Sequence, residues 1–291
     1  MLAHNYTRGL TLFLLAIVVF ALQDGVSKYL AERYSVFTIV MIRYWAFLVF
    51  VLVLSALSSG GIKKVAASGM PKMQFARGVL LAAQVCSAAY LFARLGLVDT
   101  HVVFASYPLL VTLFSIPLLG EKVGWQRGLA VTAGFIGVIV IIKPTSAVFQ
   151  LVSLLPLISA AAFALYNIMT RYVSRTDSGE TSFFWTGVGG FIFMTLVGPF
   201  FWAPPIGNDW YWMVVLCFSG ALGHYLMIKA LEIAEASSLQ PFSFLQLVFA
   251  GSIGVLLFDE IVTANIIIGG GIIVGAGLFT IWRERVRANA G

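Results

Sequence analysis

The chain carries the stretch FALQDGVSKY at residues 20–29 and a related stretch, FALYNIMTRY, at residues 163–172. Four positions are identical, and three more exchange Asp for Asn, Ser for Thr and Lys for Arg. The two stretches begin 143 residues apart, which is close to half of the 291-residue chain. Their match predicts that the chain consists of two similar halves.

Two weaker matches keep the same order along the chain. Residues 90–94 resemble residues 225–229, and Glu121 resembles Glu260, since each glutamate closely follows a Leu-Leu pair. Chance similarity between apolar helices is the alternative. Matching polar positions in a collinear order favour an internal repeat.

The composition is that of a membrane protein. Hydrophobic residues make up 60% of the chain, the mean hydropathy is +0.97, and charged residues are 10%, against about 25% in soluble domains. A helix needs about 20 apolar residues to cross the ~30 Å hydrocarbon core. Apolar runs predict ten spans, numbered 1 to 10, at residues 9–30, 36–57, 72–95, 99–119, 125–142, 151–172, 181–202, 210–231, 237–258 and 264–282.

The repeat and the spans together predict an all-α integral membrane protein. Each half has five spans, an odd number, so the second half enters the membrane from the opposite side. The chain is therefore expected to form two inverted five-helix repeats, at residues 1–145 and 146–291. Alternating-access carriers need this symmetry, because exchanging the conformations of the halves exchanges the open side.

Basic residues predict the orientation. With the N-terminus inside, 13 of the 18 Lys and Arg residues lie at the inner side and four at the outer side, while Arg43 lies within span 2. This bias follows the positive-inside rule. It predicts a multi-pass protein of the inner (plasma) membrane with cytoplasmic N- and C-termini.

Polar residues of the repeated stretch lie near opposite ends of the membrane. Asp24 and Lys28 share one face of span 1, and Asn167 and Arg171 repeat that spacing in span 6. A local ion pair between Asp24 and Lys28 is one interpretation. Gate residues at opposite mouths are the other.

Arg43 is the deepest charge in the predicted spans. An embedded arginine is costly and usually faces protein, water or a partner. Asp24 and Glu32 are candidate partners, and binding of a substrate carboxylate is the alternative.

Spans 3, 4, 6 and 9 carry the candidate cavity residues. Prolines within apolar helices are expected to kink them, at Pro108 and Pro241. Hydrogen-bonding candidates are Gln84, Ser243 and Gln246, and aromatic candidates for a planar solute are Tyr90, Tyr107, Phe163, Tyr166 and Phe242. Helix packing or lipid contact is the alternative for each aromatic residue. His101 and His224 are interpreted as hydrogen-bonded residues at helix ends.

The chain resembles the EamA-type drug/metabolite transporter superfamily. The resemblance rests on five-plus-five spans, the Gly120-Glu121 and Asp259-Glu260 pairs that close spans 4 and 9, and the Gly-rich spans 5 and 10. Within the superfamily it most resembles YddG-type exporters of aromatic amino acids. The resemblance implies ten helices, a central cavity walled mainly by spans 1, 3, 4, 6, 8 and 9, and metabolite efflux.

Enzyme motifs and nucleotide-binding loops are absent from the sequence, and Cys86 and Cys217 fit no metal-binding spacing. We expect no enzyme activity, cofactor, metal or nucleic acid partner. The expected partners are a small-molecule substrate and membrane lipid. The GxxxG spacing of Gly124–Gly128 and Gly271–Gly275 predicts close helix packing or a dimer contact, so we expect a monomer or a homodimer.

The expected function is secondary transport by alternating access. The expected cargo is a small neutral or zwitterionic metabolite, an aromatic or large apolar amino acid, and the expected direction is export. The alternatives are export of cationic drugs or sugar phosphates and, more distantly, a membrane enzyme or sensor. The predicted span centres lack a carboxylate, which favours facilitated transport, while Asp24, His101 and Arg43 keep proton antiport open.

Overall fold

A computed structural model describes residues 2–58, 60–120, 125–142, 151–234 and 239–290. These residues form helices and connecting turns without a β-strand. The α-helices in them, numbered in chain order, are α1 (Leu2–Ala31), α2 (Val36–Leu57), α3 (Gly61–Ala66), α4 (Pro71–Leu95), α5 (Leu97–Phe104), α6 (Tyr107–Leu119), α7 (Trp125–Ile142), α8 (Leu151–Val173), α9 (Gly179–Val197), α10 (Asp209–Ile233), α11 (Phe244–Phe258) and α12 (Ala264–Ala290).

The helices confirm the predicted spans. Seven segments among the described residues are long and apolar enough to cross a membrane, and α11 and the first half of α12 add two shorter apolar helices. Span 2 and span 5 match α2 and α7 residue for residue. Only the short α3, in the connection between α2 and α4, corresponds to no predicted span. We call the end of the bundle that carries residues 32–35 and 259–263 the outer end, and the opposite end the inner end, following the predicted orientation.

Spans 4 and 9 are broken helices. In span 4 a turn at Ala105–Ser106 separates α5 from α6, and Pro108 follows in the first turn of α6. The break lies just before Pro108, as expected for a residue that lacks an N–H donor and clashes with the preceding turn. In span 9, Pro241 lies in a 3-10 turn, Gln240–Ser243, that leads into α11.

Helix pairs occur in matched sets that exchange the two halves. α1 packs on α10, and its counterpart α8 packs on α4. In the same way, α6 on α8 corresponds to α11 on α1, and α4 on α9 corresponds to α10 on α2. Among the other large contacts, α2 with α9 and α7 with α12 each join a helix to its own counterpart, and α5 with α11 joins span 4 to its counterpart, span 9. This is the packing of two inverted five-helix repeats.

The same correspondence holds at the ends of α6 and α11. Gly120 and Asp259 cap these helices in the left-handed region, with φ of 73° and 53°, and their N–H groups donate to the carbonyls of Ser115 and Gly254. Both caps belong to the closing pairs that carry the family resemblance. Glu121 lies outside the described residues, and so does the predicted boundary between residues 145 and 146, which stays a prediction.

The close approach of α7 and α12 occurs at a different glycine from those predicted. A Cβ on Gly137 would lie 2.7 Å from the carbonyl oxygen of Gly269, so only glycine fits there. A Cβ on Gly128, Gly271 or Gly275 would meet nothing within 4 Å, and Gly124 lies outside the described residues. The GxxxG spacing thus identified the right pair of helices but not the contact between them.

Candidate functional site

A cavity of about 60 Å³ lies among α1, α2, α4, α5, α8, α10 and α11, and so draws on both halves. It has room for several water molecules, at roughly 15 Å³ each. Its polar side chains come from six helices and are Gln23, Asp24, Ser27, Arg43, Gln84, His101, His224 and Gln246.

Aromatic rings form much of the remaining cavity wall. Phe104 and Phe163 lie 5.5 Å apart between ring centroids, from opposite halves of the chain. Phe92 stacks on His101 at 5.0 Å with an angle of 4° between the rings. Phe20 contacts His224 edge to face at 5.0 Å. Such surfaces suit a planar solute.

Asp24 joins three helices at one end of the cavity. Its Oδ2 lies 2.9 Å from Nε2 of His101 on α5 and accepts a hydrogen bond of 3.1 Å from Nε2 of Gln246 on α11. All three side chains line the cavity. Sequence reasoning treated His101 as a helix-end residue and missed this contact, because His101 lies 77 residues from Asp24 and nothing local links them.

Local spacing suggested an ion pair between Lys28 and Asp24, but the two side chains do not pair. Its Nζ lies 2.7 Å from Oε1 of Glu32 and 3.4 Å from Oε1 of Glu260. The carboxylate of Asp24 is instead engaged by His101 and Gln246. Lys28 therefore connects α1 to the segment after α11, and so links the two halves at the outer end.

Glu260 also caps the first turn of α5. Its two carboxylate oxygens accept hydrogen bonds from the N–H groups of Leu97, at 2.8 Å, and Val98, at 2.7 Å. Unpaired N–H groups and the helix dipole make a helix start favourable for a carboxylate. Gly96 immediately precedes α5 with φ of 89°, and a Cβ there would lie 2.8 Å from Oε1 of Glu260.

Arg43 is buried, as its depth predicted, but its partner is neutral. Nη2 donates to Oε1 of Gln23 at 2.8 Å, and a Cβ on Gly220 would lie 2.5 Å from Nε. Neither predicted partner, Asp24 or Glu32, is within ion-pair distance of Arg43 in the described part of the chain. The guanidinium therefore keeps hydrogen-bonding capacity for a ligand in the cavity.

Four further candidates divide between the cavity wall and the layer behind it. Gln84 lines the cavity and donates to Oγ of Ser159 at 3.3 Å, and Phe163 also lines it. Tyr107 is buried behind the wall, 5.1 Å from the ring of Phe163. Tyr166 stacks on the other side of Phe163 at 6.1 Å.

The remaining candidates lie away from this cavity. Tyr90 is 42% exposed, and the guanidinium of Arg94 lies 5.6 Å from its ring centroid. Ser243 is buried and hydrogen-bonds with Tyr107, and Phe242 is half-buried against the main core.

The predicted inner gate residues contact backbone carbonyls. Nδ2 of Asn167 donates to the carbonyl of Phe163 at 2.7 Å, and its Oδ1 has no hydrogen-bond partner among the described residues. Nη1 of Arg171 donates to the carbonyl of Leu231 at 3.4 Å. The pair thus repeats the sequence spacing of Asp24 and Lys28 without repeating their contacts.

Arg77 is a buried charge that sequence reasoning missed. It was counted with the inner-side basic residues, yet it is 0% exposed. Its guanidinium donates to Oε1 of Gln74 at 2.9 Å, to Oγ1 of Thr170 at 3.0 Å and to the carbonyl of Ser182. It lies 5.2 Å from the ring centroid of Tyr166. Its place more than one turn into α4, three residues after the polar Gln74, is the signal that could have identified it.

Gln74 connects Arg77 to Asp177 in the connection between α8 and α9. The carboxylate of Asp177 accepts hydrogen bonds from Gln74 at 2.9 Å, from the N–H of Gly69 at 2.8 Å and from Ser68. Burial alone would raise the pKa of this carboxyl, but the hydrogen bonds outweigh burial and hold the pKa below its usual value.

Metal binding finds no support in the described residues, which contain no group of three or more His, Cys, Asp or Glu side chains arranged to hold an ion. Cys86 and Cys217 are both free thiols. The chemistry available at the cavity is therefore hydrogen bonding, charge pairing and ring stacking.

Several transporters are similar to this chain along most of its length. The S-adenosylmethionine uptake transporter of Rickettsia prowazekii is 27% identical over 281 residues, which cover 97% of this chain and 95% of that protein. The riboflavin transporter of Vibrio cholerae is 27% identical over 298 residues, covering 97% and 96%. The pseudopaline exporter of Pseudomonas aeruginosa is 26% identical over 210 residues, covering 72% and 74%.

These names support transport but not the narrower resemblance to aromatic amino acid exporters. A solved crystal structure of a protein with 18% sequence identity superposes with a TM-score of 0.66, covering 97% of this chain and 98% of that chain, which shows a shared fold. The sequence model of the EamA-like transporter family matches residues 7–143 and again residues 150–282, one match in each half. The chain therefore belongs to the EamA-like transporter family, and is a multi-pass membrane transporter.

Proposed function

We propose that the chain is a secondary transporter of a zwitterionic metabolite that carries a planar ring, with S-adenosylmethionine as the first candidate. The observation that carries the proposal is that two side chains of opposite charge, Asp24 and Arg43, line one aromatic-walled cavity without pairing with each other. The names of the Rickettsia relatives support the choice of solute.

A zwitterionic amino acid group suits both charged side chains. The guanidinium of Arg43 can bind a carboxylate through two parallel hydrogen bonds, since its only polar partner among the described residues is neutral Gln23. The carboxylate of Asp24 can attract an ammonium or sulfonium group. The rings of Phe92, Phe104 and Phe163 can stack on a purine or another planar ring.

Aromatic amino acids are the second candidate, because they combine the same zwitterion with a smaller ring. Riboflavin has a planar ring but no ammonium and carboxylate groups to match Asp24 and Arg43. Sugar phosphates and cationic drugs fit less well, because the cavity offers neither clustered basic residues nor unopposed acidic ones.

We infer that transport follows alternating access between repeats at residues 1–145 and 146–291. The exchange symmetry of the helix contacts supports this mechanism. In this proposal Asp24 and Lys28 act near the outer mouth, and Asn167 and Arg171 act near the inner mouth. The protein lies in the inner membrane with both termini in the cytoplasm. Relatives are named for uptake and for export, and export remains our proposal for the direction.

Proteoliposomes with the purified chain test the proposal. We expect saturable flux of radiolabelled S-adenosylmethionine, or of tryptophan, that exceeds riboflavin flux at least tenfold. Arg43→Gln should raise the KM, while Arg33→Gln, at an exposed arginine on the outer surface, should leave it unchanged. Flux of riboflavin alone, or no flux of any of the three, would refute the choice of solute class.

A further inference from the structure

Both ring nitrogens of His101 face hydrogen-bond acceptors. Nδ1 lies 2.9 Å from the carbonyl oxygen of Leu97, and Nε2 lies 2.9 Å from Oδ2 of Asp24. The imidazole and the carboxylate are both buried. These contacts limit the protonation states that the pair can adopt.

A neutral imidazole has one N–H donor and one acceptor nitrogen. The carbonyl of Leu97 cannot donate, so Nδ1 must carry a proton. Nε2 then faces Asp24, and a carboxylate there would oppose a lone pair at 2.9 Å. The two contacts are both favourable only if the Asp24–His101 pair holds one proton more than a neutral histidine beside a carboxylate.

Two neighbours assign that proton to the imidazole. Gln246 donates to the same Oδ2 of Asp24, so this oxygen acts as an acceptor, as in an ionised carboxylate. Phe92 stacks face to face on His101 at 5.0 Å, which favours a cationic ring. An imidazolium beside a carboxylate satisfies the contacts with Leu97, Asp24, Gln246 and Phe92 together.

We propose that Asp24 and His101 form a proton-binding site whose occupancy holds α1, α5 and α11 together at the outer end of the cavity. The proton site itself is independent of any solute. Its coupling to transport rests on the proposed function.

Other charged and titratable groups surround the pair. Lys28 on α1 and Arg43 on α2 are cations, Glu260 after α11 is an anion, and His224 lies across the cavity on α10. Asp99 on α5 is exposed. α4 and α8 contribute Gln84 and Phe163, whose side chains carry no titratable group.

Opening the outer end separates Asp24 from His101. The imidazolium then loses its Nε2 proton to water, keeps Nδ1–H bonded to Leu97, and leaves Asp24 ionised for a solute ammonium group. Because the closed state binds one proton more than the open state, rising pH favours opening, by up to about tenfold per pH unit.

Nitrogen-15 NMR of histidine-labelled protein in lipid tests the proton site directly. The chain has three histidines, His4, His101 and His224, so His101→Gln assigns the signals. We expect both nitrogens of His101 to be protonated at pH 7 in the wild type and in Glu32→Gln, a control at the acid that directly follows α1. In Asp24→Asn we expect neutral His101. A neutral His101 in the wild type at pH 7 would overturn the proposal.

Alkylation of a cysteine in the cavity tests the link to opening. In a chain with Cys86→Ser and Cys217→Ser, we introduce Ser27→Cys, at a buried cavity position, or Ile206→Cys, at a residue that is 78% exposed. We expect the labelling rate of Ser27→Cys, divided by that of Ile206→Cys, to rise at least fivefold from pH 6 to pH 8. Adding His101→Gln should abolish the rise.

A ratio that is independent of pH would overturn the coupling. These readouts need no transported solute. Failed flux with an intact NMR signature and labelling profile would therefore refute the proposed cargo and leave the proton site standing.

Discussion

At the outer end, Lys28 lies between two carboxylates and His101 contacts a third, whereas at the inner end Arg77 is buried against neutral oxygen atoms. The outer contacts are ion pairs between acidic and basic side chains, and one of them is an ion pair only when His101 is protonated. The inner contacts depend on a guanidinium that stays charged at every physiological pH. The two ends therefore respond differently to pH and salt, although the helices around them are related by the repeat.

Two buried arginines make the comparison more specific. Arg43 contacts Gln23 and Arg77 faces the ring of Tyr166, and these two partners occupy the same position of the repeated stretch. The arginines themselves come from different helices, α2 and α4. Both arginines belong to the first half of the chain, yet each copy of the repeated stretch has one of them beside the same position, and of the two only Arg43 lines the cavity.

Removing the inner cation should have the largest effect on stability. Arg77→Met leaves Oε1 of Gln74 and Oγ1 of Thr170 without their donor and removes one of the donors to the carbonyl of Ser182, which should cost about 3 kcal/mol. Thermal unfolding in detergent measures this loss. Arg94→Gln, at an exposed arginine on the same helix, is the control. Equal melting temperatures for both variants would show that the contacts of Arg77 do not stabilise the inner end.

Neutralising the outer cap should have a smaller effect. Glu260→Gln removes the charge that serves both Lys28 and the start of α5, and should cost about 1–2 kcal/mol. Glu32→Gln removes only the more exposed partner of Lys28 and should cost less than 0.5 kcal/mol by the same measurement. A larger loss for Glu32→Gln would reverse our ranking of the two carboxylates.

Acid should weaken the inner end through Asp177. Its folded-state pKa is depressed, so its contribution is present above the unfolded-state pKa of about 3.9 and is lost as pH falls through the folded value. Asp177→Asn should cost about 1–2 kcal/mol at pH 7, and the gap to the wild type should close below about pH 4. Unfolding curves at pH 7 and below about pH 4 measure the stability difference between Asp177→Asn and the wild type. A difference that does not change with pH would contradict the prediction.

The smallest expected change is at the cap of α11. Asp259 has a positive φ that an L residue adopts at some cost, and glycine adopts it freely. Asp259→Gly should therefore stabilise the protein by about 0.5 kcal/mol. Gly120→Asp, at the corresponding cap of α6, should destabilise it by a similar amount. Opposite signs for the pair in thermal unfolding would support the equivalence of the caps, and equal signs would argue against it.

The fold was predictable because membrane spans need length and apolarity, both of which are visible in the sequence. The repeat of residues 20–29 then indicated the inverted arrangement. Within the site, Asp24, Arg43, Gln84, Phe163 and Gln246 were identified because polar or aromatic residues inside an apolar span are conspicuous, and all five line the cavity.

The sequence did not reveal which polar side chains contact each other. Local spacing suggested Lys28 for Asp24, but a distant histidine occupies that carboxylate. Arg77 resembled an ordinary loop-side cation because α4 begins only six residues earlier. Tyr90 was misjudged because aromatic residues occur on every face of an apolar helix, and the sequence does not say which face points inward.

The carboxylate of Glu260 has a consequence for how solvent first enters the molecule. It belongs to the second half of the chain but satisfies two backbone N–H groups of the first half, at Leu97 and Val98. When the halves separate at this end, both donors lose their acceptor at once. Water is the replacement at hand, so hydration of the bared first turn of α5 should accompany the earliest stage of the movement.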